Sequence, residues 1–166
     1  EVQMRAFAAL PEDYVAVFGP EIIYGRDGEG GHKRYGPRRA ACVPGPDARI
    51  ESGDLSAAFA RANLMTLQTV LLRKSAFLAA GGFDPRLRNN EDWDFNIRLS
   101  PQGPMGFLDT PLVVVFDSPD GISKDRWASL ASQVRIFSKL RRADVARATL
   151  SEHAAGVARL MLRRGR

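Results

Sequence analysis

Residues 67–99 read Leu-Gln-Thr-Val-Leu-Leu-Arg-Lys-Ser-Ala-Phe-Leu-Ala-Ala-Gly-Gly-Phe-Asp-Pro-Arg-Leu-Arg-Asn-Asn-Glu-Asp-Trp-Asp-Phe-Asn-Ile-Arg-Leu. Their order decides the class of fold. The apolar, β-branched run over 66–72 predicts a strand. From Lys74 or Ser75 to Ala80 the residues favour a short helix, and Gly81-Gly82 supply the left-handed backbone that stops one. Asn89 or Asn90 then caps a second helix to about Leu99, closed by Ser100-Pro101. A strand, a glycine-stopped helix and a capped helix in succession place the chain among α/β proteins.

Upstream, Ser52 or Asp54 opens a predicted helix through Asn63, with Leu55, Ala58, Phe59 and Ala62 on one face. Residues 25–46 are rich in Gly, Pro and Arg and predict a loop, with a short strand at 40–43. The cluster Gly28-Glu29-Gly30-Gly31 is no phosphate loop, because no Gly-Lys-Ser/Thr closes it and no helix pattern follows. Residues 14–24 are β-rich but broken by Gly19-Pro20, which fits an edge strand, a bulged strand or two short ones. Residues 1–10 have near-helical apolar spacing and stop at Pro11. Downstream, 111–116 (Pro-Leu-Val-Val-Val-Phe) predicts a buried strand. Residues 125–141 and about 143–163 predict an amphipathic helix pair, with apolar series Trp127, Leu130, Val134, Phe137 and Val145, Leu150, Val157, Leu160, Met161.

The 166 residues are 45% hydrophobic and 26% charged, the profile of an ordinary globular domain rather than a disordered chain. No apolar run is long enough to span a bilayer. One cysteine, Cys42, excludes an internal disulfide, and two histidines, His32 and His153, add no zinc site of the usual four-ligand kind. The chain opens on Glu1 without an initiator methionine or a signal-peptide pattern, so it is expected to be a fragment. Its net charge of +5 is unevenly placed. Residues 1–123 hold 13 basic and 16 acidic side chains, and 124–166 hold 11 and 3, so +8 sits in the tail against −3 before it. A basic tail suits phosphates or anionic headgroups, and a solvated helix face equally. Lys33-Arg34-Tyr35 and Arg38-Arg39 add basic clusters, but no recognition motif accompanies them and no nucleic-acid partner is expected.

The stretch 67–99 closely resembles the acceptor-side half of family 2 inverting glycosyltransferases, which have the GT-A fold. The matching elements are the strand at 69–72, Arg73-Lys74, the turn Gly81-Gly82-Phe83-Asp84, the pair Glu91-Asp92 and the following Trp93-Asp94-Phe95 with Arg98-Leu99. A weaker resemblance extends from residue 1 to about 123. It implies a partial GT-A-type fold: residues 1–123 as the acceptor-side half of a mixed sheet with flanking helices, and 124–166 as a basic, amphipathic helix pair. The nucleotide-binding half and its acidic metal motif would precede Glu1. The resemblance also implies a nucleotide-sugar donor held through that half, and a saccharide or lipid-linked acceptor. A divalent metal, Mn or Mg, would serve the intact parent, with none expected on this fragment. The expected location is cytoplasmic, peripheral at the inner face of an anionic membrane.

Inverting transfer needs a base for the acceptor hydroxyl proton, and a positioned base contributes about 10²–10⁴-fold in rate. Asp92, on a first helical turn, is in a partly positive field that keeps a carboxylate ionised, and is the expected base. Glu91 is expected to bind the acceptor or hold the loop, and Gly81 and Gly82 to allow close approach of a ligand. Trp93 fits either stacking on a sugar or core packing. Where many relatives place a metal-contacting His, Ser118 stands here, with Asp117 and Asp120 the nearby acids. The rival reading is a non-catalytic carbohydrate-binding or scaffolding relic of such an enzyme.

Overall fold

The computed structural model describes residues 1–26, 32–34, 42–44, 49–116, 118, 121 and 125–139. The described residues form two small sheets and five α-helices. In the first sheet β1 (Ala16–Phe18) lies between an antiparallel β5 (Val70–Leu72) and a parallel β6 (Met105–Phe107), with Phe18 opposite both Val70 and Phe107. In the second, β2 (Glu21–Arg26) pairs in parallel with β7 (Val113–Phe116). The antiparallel strands β3 (His32–Arg34) and β4 (Cys42–Val43) pair with successive parts of β2.

Gly19-Pro20 is the point where the chain leaves one sheet and enters the other, which selects two short strands among the options the sequence left open. β6 and β7 make the same passage alongside, as the N–H groups of Leu108 and Leu112 donate to the carbonyls of Phe18 (2.8 Å) and Pro20 (2.9 Å). The crossing is tight. A Cβ on Gly19 would stand 2.9 Å from both the Leu108 carbonyl and the Leu112 side chain.

The helices are α1 (Val2–Ala9), α2 (Ser56–Arg61), α3 (Lys74–Ala79), α4 (Glu91–Leu99) and α5 (Arg126–Lys139). Phe18, Phe59, Met65, Phe95, Leu99 and Met105 form a fully buried core between the first sheet, α2 and α4. Each such side chain contributes about 1.5–3 kcal/mol by leaving water. On its other flank α4 shares a second cluster, Leu87, Trp93, Ile136 and Phe137, with α5. One helix thus serves two cores.

Several expectations are corrected. The strand predicted over 66–72 begins only at Val70, because Leu67–Thr69 turn once as a 3₁₀ helix. That turn serves the buried Glu21, whose Oε2 accepts from Thr66 Oγ1 and Gln68 Nε2, both at 2.8 Å. The predicted loop 25–46 also holds the end of β2 and the strand β3, while β4 falls on the short strand expected at 40–43. The predicted buried strand 111–116 forms, but Val114 and Phe116 are exposed because only one face of β7 is covered. β6 was not foreseen; three residues are too few to show a period. In α5 the docking face is Ser132, Ile136 and Phe137, whereas Trp127 and Val134 lie exposed. The helix predicted over 143–163 lies outside the described residues, as do Asp117 and Asp120. No described helix is long and apolar enough to cross a membrane.

Candidate functional site

The turn between α3 and α4 is built by its own sequence. Gly81 (φ 81°) and Gly82 (φ 63°) are both left-handed, and their N–H groups donate to the carbonyls of Leu78 (3.0 Å) and Phe77 (3.1 Å). Side chains other than glycine disfavour this region by about 1–2 kcal/mol per residue. Phe83 then closes a ring cluster with Phe77 and Phe95 at centroid distances of 5.5 and 5.0 Å. Arg98 donates to the Ala80 carbonyl and, through Nε and Nη2, to Asp94 Oδ2 (3.0 and 2.6 Å).

Asp84 receives a two-pronged contact from Arg86, both bonds at 2.9 Å, and a third bond from Lys139 Nζ at 2.7 Å. The Arg86 guanidinium first, then the Lys139 ammonium, hold its carboxyl far below the usual carboxylate range. Lys139 also donates to the buried Asp94 at 2.7 Å, so one ammonium fastens α5 to the turn and to α4.

At the start of α4, Asn90 is left-handed (φ 59°) and its side chain does not cap the helix. Its amide instead donates to Ser129 of α5, to Oγ at 2.9 Å and to the carbonyl at 3.2 Å. Glu91 and Asp92 follow in the first turn, both half-buried. Asp92 Oδ1 accepts from the Trp93 N–H at 2.7 Å, and Oδ2 accepts from Asn63 Nδ2 at 3.0 Å. Burial pushes the Asp92 carboxyl up from its ordinary range, outweighing the Asn63 and backbone hydrogen bonds that pull it down, and the neighbouring Glu91 adds to the rise. Desolvation thus outweighs the hydrogen-bond donors at the helix start.

Of the predicted site residues, Glu91 and Asp92 stand together. Trp93 turns inward, 5% exposed, donating its indole N–H to the Phe59 carbonyl at 2.7 Å and meeting Phe137 edge-on at 5.4 Å. Of the two roles the sequence allowed it, packing is the one its surroundings fill. Gly81 and Gly82 sit against Arg98 and Phe77, and Arg98 lies about 9 Å along the helix from Asp92. Their observed work is helix termination. Asn63 and Asn96 were missed, since a lone Asn carries no spacing signal; Asp94 with Arg98 was legible as an i,i+4 pair.

No group of three His, Cys, Asp or Glu side chains among the described residues comes close enough to hold a metal ion. Arg86, Arg88 and Arg135 border a cavity of about 180 Å³ between the turn and α5, floored by Leu87, Ala128, Ala131 and Ser132. Compared with models of protein families, with curated proteins and with solved structures, the chain matches none.

Proposed function

We propose that this chain is the acceptor-side part of an inverting glycosyltransferase, and that Asp92 is the base for the acceptor hydroxyl. The observation that carries the reading is the Asp92 carboxylate. It is half-buried at a helix start, held at one oxygen by the Asn63 amide and at the other by the Trp93 N–H, and burial pushes its carboxyl up from the ordinary range. The resemblance of 67–99 to family 2 enzymes supplies the reaction class. Asp92 takes the proton as the acceptor oxygen bonds to the anomeric carbon from one face. The bond from that carbon to the nucleotide diphosphate breaks on the other, giving inversion. Glu91 favours proton uptake by Asp92 through its own charge. The described residues do not by themselves assemble a metal site.

The acceptor class proposed is a saccharide or lipid-linked hydroxyl, at the cytoplasmic face of a membrane. The +8 balance of 124–166 supports that location, although Arg135 and Lys139 of that segment already hydrogen-bond within the fold's surface, to the Arg86 carbonyl and to Asp84 with Asp94. Co-sedimentation with anionic and neutral vesicles tests it: equal binding to both removes the membrane reading.

For the chemistry, Asp92→Asn in the complete enzyme keeps the shape and removes the proton acceptor. Transfer is expected to fall about 10²-fold or more with donor affinity little changed. Turnover near that of the parent sinks the assignment.

A further inference from the structure

Two buried amides behind Asp92 have a fixed orientation, and the logic runs outward from a backbone carbonyl. Asn96, one turn after Asp92 on α4, is fully buried. Its Nδ2 donates twice, to the Met65 carbonyl at 2.7 Å and to Asn63 Oδ1 at 3.0 Å. A backbone carbonyl only accepts, so the amide edge of Asn96 that faces Met65 must be the NH₂. The second N–H of that group then requires an acceptor from Asn63, which turns the Asn63 carbonyl inward and its NH₂ outward. That NH₂ meets Asp92 Oδ2 at 3.0 Å. Turning Asn96 alone would set acceptor against acceptor at Met65 and at Asn63, and turning both amides would do so at Met65 and at Asp92.

The orientation leaves Asn96 Oδ1 buried with no hydrogen-bond partner among the described residues. An apolar side chain at 96 would avoid that orphaned oxygen. The arrangement is instead one that delivers a donor to one oxygen of one carboxylate. Such a donor strengthens the ionised form and fixes the lone pair that stays open.

We infer that Asn96 and Asn63 form a two-amide relay that orients the Asp92 carboxylate: Asn63 is the positioning residue in contact with it, and Asn96 determines which way Asn63 faces. As a statement about catalysis this rests on Asp92 being the base; as a statement about the carboxylate it does not. Glu91 is the charged side chain that acts on Asp92, in the opposite sense to Asn63.

The test follows the Asp92 carboxyl carbon by NMR through a pH titration of the 166-residue chain and three variants. Asn63→Ala removes the donor, and the Asp92 midpoint is expected to rise by about one pH unit. Asn63→Asp still accepts from Asn96 but presents a carboxylate to Asp92, and is expected to raise the midpoint further. Asn96→Ala touches no atom of Asp92 and is expected to move it in the same direction, because Asn63 is then free to turn. A natively folded Asn63→Ala whose Asp92 titrates as in the parent overturns the relay, as does an unmoved midpoint in folded Asn96→Ala. Should Asn96→Ala fail to fold, Asn96→Leu, which fills similar space without an amide, takes its place, and an unmoved Asp92 midpoint in that folded variant overturns the relay. Shifted midpoints together with an unimpaired Asp92→Asn enzyme keep the relay and discard the catalytic reading. Unshifted midpoints with an inactive Asp92→Asn enzyme do the reverse.

Discussion

The two aspartates that matter most here are shifted in opposite directions, and stability should report both. Asp92 is raised by burial, so its folded form holds a proton more tightly than the unfolded chain does. Its contribution is full below the ordinary carboxylate range and is lost as pH rises through the raised value. Asp84 is lowered by Arg86 and Lys139, so its contribution is present above the ordinary range and is lost as pH falls below it. Denaturant unfolding across pH should therefore separate them. The parent's advantage over Asp92→Ala shrinks from pH 4 towards neutrality, whereas its advantage over Asp84→Ala shrinks below about pH 4. An Asp92 difference that grows with pH contradicts the burial argument. The sequence shows both residues as acids beside a turn and a helix start. It does not show that one is desolvated and the other paired, because the partners Asn63 and Lys139 lie 29 and 55 residues away.

Among the elements, α4 was the most legible. Its position, length and stop follow from Asn89-Asn90, the apolar positions Phe95 and Leu99, and Ser100-Pro101, but the side-chain cap expected of Asn90 does not form, because its amide is drawn to Ser129. The α3 stop was equally plain, since Gly81-Gly82 take the two left-handed positions that ends of helices require. Gly82→Ala is expected to cost about 1–2 kcal/mol for the backbone, and its new methyl meets the Phe77 ring at 3.4 Å. Equal unfolding midpoints for parent and variant would contradict that strain. The strands were harder to read. β5 is shortened by a turn that satisfies a buried acid from β2, and β6 is defined by its pairing with β1 and the bridge from Met105 to Gly53 rather than by its own three residues. The docking face of α5 follows the expected series only at Phe137: Trp93 and Leu87 bury Phe137 together with Ile136, while Trp127 and Val134 stay exposed.

Over the whole molecule, residues far apart in sequence meet on α4: Phe59 from one side, Phe137 and Lys139 from the other, and Asp84 beyond. Phe137→Ala is expected to cost about 3–5 kcal/mol, as for other buried aromatic truncations. It should loosen α5 before the first core, visible as loss of amide protection in 126–139 ahead of 91–99. Simultaneous exchange of both segments would mean that α5 and the core open as one unit. The ammonium of Lys139 also has a consequence for anyone who shortens this chain. The charge map draws a natural-looking border at Ser123, but a protein ended there keeps Asp84 and Asp94 while losing the cation between them. It also bares the Trp93 indole and Leu87 to water. Such a truncate is expected to aggregate, and a protease that nicks the approach to α5 should leave the two pieces associated rather than release a free domain.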